Sequence, residues 1–120
     1  MSLKSWKKEF YPKPVHMCKY SEAGKYTELK WVGLSKKNLK KHKGTKYGYY
    51  IDFEDGEFRI DGDSCMWCKM AHDCNECLGI VNNVYCGNSF NDWVRTGKVK
   101  PMLQWIRKAR KYNREHGLGD

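Results

Sequence analysis

Five of the six cysteines in this chain fall within 22 consecutive positions, CMWCKMAHDCNECLGIVNNVYC, residues 65–86. No other feature constrains the fold as strongly. A chain of 120 residues buries only about two-thirds of the surface its unfolded form exposes, so its apolar core is thin. Crowded thiols offer such a chain a second source of stability, because the binding energy of a metal becomes folding energy. The N-terminus, MSLKSWKKEFYPKP, is basic and has no apolar h-region, which predicts no secretory leader. A cytoplasmic location follows as an expectation. There thiols stay reduced, and clustered cysteines bind metal rather than pair as disulfides.

The spacing points to Zn²⁺. Two residues between cysteines form a tight turn that aims both sulfurs at one ion, and a structural site wants four such ligands in a tetrahedron. Cys65-x-x-Cys68 and Cys74-x-x-Cys77 are two such turns, and Cys86 follows nine positions later. Only five residues separate the turns, which is short for two hairpins gripping one ion. Gly87 after Cys86 relieves backbone strain where amides fold back toward a thiolate. The favoured ligands are therefore Cys65, Cys68, Cys77 and Cys86, with Cys74 the alternative ligand in a Cys65/68/74/77 set. A third set uses His72, but Cys65-x2-Cys68-x3-His72-x4-Cys77 is one residue short of a zinc knuckle. No iron–sulfur spacing such as C-x2-C-x2-C is present. A catalytic zinc would show H-x-E with P-C-x-x-C, or HExxH; neither occurs, so the zinc is expected to be structural. Cys18 reads as a small buried hydrophobe.

Charge narrows the partners. The net charge is +9, yet residues 52–63, DFEDGEFRIDGD, carry six acids and one Arg. The remainder then holds 22 Lys/Arg against 8 Asp/Glu, a balance of +14. Such a field favours a polyanionic partner. Mean hydropathy is −0.85, and no apolar run approaches the roughly 18 residues a membrane span needs, so no membrane partner is expected.

The predicted architecture is α+β: a small single domain with a β-hairpin, a Cys-rich zinc-stapled loop region and a C-terminal amphipathic helix, all within one zinc-binding domain over 1–120. Residues 1–14, broken by Pro12 and Pro14, read as a loosely ordered basic arm, and 65–86 as the metal-binding segment. Ser21 to Val32 is weakly helical, with Ser21 as cap and Tyr26, Leu29 and Val32 as its stripe. Ser35 starts a clearer helix, KKNLKKHK, closed by Gly44. YGYYIDFEDGEFRI, 47–60, predicts a hairpin turning at Asp55-Gly56, with Tyr49, Ile51, Phe53, Phe58 and Ile60 on one face. Ser89 caps a short helix that stops at Gly97. Pro101 suits the first turn of a last helix, 101–116, with Met102, Ile106 and Ala109 as its apolar stripe.

Several of these segments together have a familiar pattern. LKWVGLSKKNLKKH at 29–42, followed by CMWC, CNEC and a lone cysteine, then PMLQWIRKARKY, resembles small, largely uncharacterised tailed-phage proteins. These carry a W-x-G-L…NL-x-K-H element upstream of a CxxC…CxxC…C cluster. The likeness spans residues 26–112, and its specific part is the cysteine cluster; Leu78 stands where members of that family often have proline. The resemblance implies a phage-type protein in the cytosol of a bacterial host and no particular activity.

Three functions are open. The first is a zinc-stapled binder of an anionic ligand, nucleic acid or nucleotide. Its expected contacts are Lys36, Lys37, Lys40, Lys41 and Lys43 on one helix and Arg107, Lys108, Arg110, Lys111 and Arg114 on the last. Exposed aromatics would stack on bases. The second is a protein-binding effector that inhibits a host enzyme or defence system, with acidic hairpin and basic helices as complementary faces. The third is a small metal-dependent nuclease using Asp52, Glu54, Asp55, Glu57, Asp61 or Asp63. No nucleophile–base pair is legible, and alternating acids on a hairpin ordinarily form its solvated face, so no catalytic residue is named and an enzyme is disfavoured.

Overall fold

A computed structural model describes residues 2–14, 17–60 and 87–117, and shows a small α+β arrangement. Helices α1 (Leu3–Phe10), α2 (Ala23–Gly33) and α3 (Lys36–Lys41) precede strands β1 (Thr45–Tyr47), β2 (Tyr50–Phe53) and β3 (Gly56–Arg59). Helices α4 (Gly87–Thr96) and α5 (Lys100–Glu115) follow. The strands form one antiparallel sheet in the order β1-β2-β3.

The N-terminal segment is a docked helix rather than a loose arm. Ser2 Oγ accepts the Ser5 N–H at 3.3 Å, and Ser5 Oγ accepts the Ser2 N–H at 2.8 Å, a reciprocal capping box. Trp6 and Phe10, at i and i+4 on one face, are 0% and 6% exposed. Trp6 packs against Phe53 and Phe58 of the sheet, with ring centroids 6.0 and 5.1 Å away. Its indole N–H donates to the Gly33 carbonyl at 2.9 Å. Burying an aromatic of this size stabilises by roughly 4–6 kcal/mol before entropy is counted, ample to order a helix of eight residues. The approach is close: a Cβ on Gly33 would lie 2.3 Å from Phe10 Cγ.

A 3₁₀ turn, Tyr20–Glu22, leads into α2. Ser21 does not cap; Glu22 holds the N-cap position without a side-chain bond. The buried residues of α2 include Ala23, Thr27, Lys30 and Trp31, whereas Tyr26, Leu29 and Val32 are half-buried. The stripe is displaced because α2 lies between α1 and α5 and is covered on two sides. At the C-terminal end, Trp31 meets Trp93 of α4 edge-on at 5.1 Å.

The sheet is a three-stranded meander rather than one hairpin. Phe53 pairs with Gly56, so the second loop is Glu54-Asp55, one residue earlier than expected. Gly56 keeps the unusual φ of 147° but opens β3. Asp55 turns toward α1 and accepts the Leu3 and Lys4 amide N–H groups at 2.7 and 3.2 Å. Those bonds, Leu3's first, hold its carboxyl below the usual range. The first loop, Gly48-Tyr49, joins Tyr47 and Tyr50. Gly48 alone of the two has positive φ, 59°, as a type II′ turn requires. Ile51, Phe53, Phe58 and Ile60 are buried. Tyr49, a turn residue, is 44% exposed instead of joining that face.

Helix α4 starts at Gly87, so Ser89 lies inside it; Gly97, φ 77°, ends it. In α5 Pro101 occupies the first turn, and Met102, Ile106, Ala109 and Asn113 face inward. Cys18 is partly buried, and burial raises its thiol pKa. No helix among the described residues is long and apolar enough to cross a membrane.

Candidate anion-binding site

Helix α3 is short because its sequence caps it at both ends. Ser35 Oγ accepts the Asn38 N–H at 3.3 Å. At the other end the Gly44 N–H reaches the Leu39 carbonyl at 2.8 Å and the Lys43 N–H the Lys40 carbonyl at 3.1 Å. That pair of bonds is the Schellman motif. The left-handed position belongs to Lys43, φ 58°, not to Gly44. Gly44 is needed for another reason: a Cβ there would lie 2.8 and 2.9 Å from Phe53 and Ile51.

This sharp stop throws the chain straight into β1 and opens a groove of about 500 Å³ between the two elements. Lys36, Lys40, Lys43 and Lys46 line it, with Leu39, Gly44 and Thr45. Lys36, Lys40 and Lys43 are exposed, and no ion pair among the described residues involves them. Lys46 is anchored. Its ammonium lies 4.9 Å over the Trp93 ring and donates to the Val94 carbonyl, and burial lowers its pKa. The indole N–H of Trp93 finds no acceptor among the described residues. Gly97 permits the close approach, since a Cβ there would meet Lys36 Cε at 3.3 Å and Lys46 Cδ at 3.9 Å. Like charges gathered in a concavity focus a positive potential and raise the local concentration of anions.

The other expected contacts divide. Lys37 is exposed but outside the groove lining. Lys41 is engaged by Glu9, Nζ to both carboxylate oxygens at 3.0 and 2.9 Å. On α5, Glu28 draws Arg110 Nη1 to 3.0 Å and Arg107 Nε to 3.4 Å. Arg110 has a side chain only 16% exposed, so it does not belong to a solvated basic face. Lys111 lies 3.9 Å from Glu115, and Lys108 and Arg114 are exposed. The sequence reading of a basic Ser35–Lys46 segment reaches Lys46 but does not single it out as a contact, because nothing local to Thr45–Tyr47 signals that this residue shares a groove with α3. A second, more apolar groove of about 460 Å³ carries Lys4, Lys7 and Lys8 with Tyr11, Pro12 and Pro14.

Two further constellations have chemistry to weigh. Ser5 Oγ lies 2.9 Å from His42 Nδ1, and His42 Nε2 lies 3.2 Å from Glu9, the components of a nucleophile–base–acid relay. Ser5 Oγ is already committed to the Ser2 amide and carbonyl, and His42 is 3% exposed. The chain of bonds therefore ties α1 to the end of α3, and Lys41 first, then His42, lower the Glu9 pKa. Of the acids considered for a nuclease, Asp52 faces Glu57 across the ladder and Asp55 is occupied by α1. Among the described residues no three His, Cys, Asp or Glu side chains gather as a metal site. Cys65, Cys68, Cys74, Cys77 and Cys86, with His72, Asp61 and Asp63, lie outside the described residues.

A small α+β domain with a lysine-lined groove is the class that fold and site define. The chain matches no family profile, no curated protein and no solved structure.

Proposed function

We propose that the protein binds nucleic acid as a polyanion along the lysine groove between α3 and β1. One observation carries the reading: Lys36, Lys40 and Lys43 surround a single concavity with no carboxylate against them among the described residues, while Glu28 draws two of the α5 cations to itself. The same proposal includes one structural Zn²⁺ as a staple, supported by the spacing of Cys65, Cys68, Cys77 and Cys86, with Cys74 as alternative, and a phage-type origin from the resemblance.

Anisotropy titrations with labelled single-stranded and duplex DNA, at low and moderate salt, test it. Lys36→Glu, Lys40→Glu and Lys43→Glu together should abolish binding at moderate salt. Lys108→Glu with Lys111→Glu on α5 should retain most of it. Removing one lysine–phosphate interaction should flatten the slope of log K against log salt by about 0.7 for single strands or about 0.9 for duplex. Wild-type protein that binds neither DNA nor RNA at micromolar concentration in low salt would refute the reading. A host protein captured stoichiometrically would then favour the protein-binding effector.

A further inference from the structure

Resting on that nucleic-acid reading, we infer that the β1–β2 turn is a base-stacking platform and that the preferred ligand is single-stranded. Tyr47 and Tyr50 are directly opposed in register, their rings stacked with centroids 5.7 Å apart and planes at 28°. Tyr49 stands against Tyr50 at 82°, and the Arg59 guanidinium lies 5.6 Å from the centre of the Tyr49 ring. Tyr47 is 51% and Tyr49 44% exposed, whereas Trp6, Trp31 and Trp93 are sealed in the core. Tyr112, exposed on α5, is already stacked on His116 at 3.9 Å. Among the described residues, the two most exposed aromatic rings thus lie in and beside one two-residue turn.

Placement joins this turn to the groove. Thr45 lines the groove, and Tyr47 follows it on the same face of β1, about 6.6–6.8 Å along the strand. In the proposed arrangement a backbone with phosphates against Lys40 and Lys43 runs on along β1 toward Tyr47. Every base has a π-face, so stacking tolerates sequence, and it needs bases that are not already paired. Paired bases in a duplex offer no such face. Gly48 gives the turn its left-handed residue, φ 59°, and the Tyr49 carbonyl accepts the Ile60 N–H at 2.8 Å.

The test measures oligo(dT), a duplex of equal length and inorganic polyphosphate against wild type, Tyr47→Ala/Tyr49→Ala and Tyr47→Phe/Tyr49→Phe. Wild type should bind oligo(dT) more tightly than duplex. The alanine pair should lose about tenfold or more on oligo(dT), with polyphosphate binding and salt slope unchanged. The phenylalanine pair, which keeps the rings, should stay near wild type and guards against misfolding. Alanine variants that bind oligo(dT) like wild type would overturn the platform and leave the groove standing. A wild type that prefers duplex would overturn it as well. Wild type that binds neither polyphosphate nor oligonucleotide removes the groove reading and this inference together.

Discussion

Replacing Lys43 by glycine should make the protein more stable and a poorer anion binder at once. Lys43 holds φ 58° just past the C-cap of α3, a conformation that costs an L-residue about 1–2 kcal/mol. Glycine relieves that strain but brings about 0.5–1 kcal/mol of extra chain entropy to the unfolded state. The net expectation is a gain of about 0.5–1 kcal/mol, or about 2–5 °C in Tm for a domain of this size. The Schellman bonds of Lys43 and Gly44 are made by backbone atoms, so glycine keeps them. The ammonium is removed from the groove, and the single-strand salt slope should flatten by about 0.7. Lys43→Gln separates the effects, losing the charge while keeping the strained backbone: same slope change, no rise in Tm. Thermal melting beside salt-dependent anisotropy reads both quantities. A Tm that falls on Lys43→Gly would refute the strain argument, and an unchanged slope in both variants would remove Lys43 from the binding site.

Elemental analysis of protein purified without chelator should find one zinc per chain. Cys65→Ser or Cys68→Ser should lower stability and soluble yield strongly, while Cys18→Ser should stay within the usual ~0.5–3 kcal/mol of point mutants; metal-free, chelator-indifferent protein would end the zinc proposal. Gly33→Ala should destabilise by about 1–3 kcal/mol through overpacking, because the new methyl meets the Phe10 ring at 2.3 Å; a urea midpoint at or above wild type would contradict that. Asp55, with its pKa lowered in the folded state by the Leu3 and Lys4 amides, contributes stability above about pH 4 that fades as pH falls through its folded value. Urea midpoints measured from pH 6 down to pH 2 should therefore fall, and less steeply in Asp55→Asn, whose side chain does not ionise; identical profiles would show that the interaction contributes nothing.

Much of the framework was legible locally. Ser35 as a cap, Gly97 as a stop, Pro101 in a first turn and the Met102/Ile106/Ala109 stripe each follow from one residue's backbone preference or from helical period. The acidic hairpin was legible too, but its corner moved by one residue, and Asp55 reaches across to the amides of α1. Trp6 and Phe10 already stood at i and i+4 within 1–14. Pro12 and Pro14 made that segment read as an arm, and only the aromatic pocket of Phe53 and Phe58 settles it as a helix. The candidate site divides the same way. Lysines on α3 are visible as a charge run, but a charge run does not say which cations are free. Glu9 reaches Lys41 from 32 positions away and Glu28 reaches Arg110 from 82, while Lys46 joins Lys36 and Lys40 in one groove. Helix periods and turn preferences act over a few residues and can be read from the order of the chain. Charge neutralisation and groove lining depend on distances between segments far apart in sequence, and those distances exist only once the chain has packed.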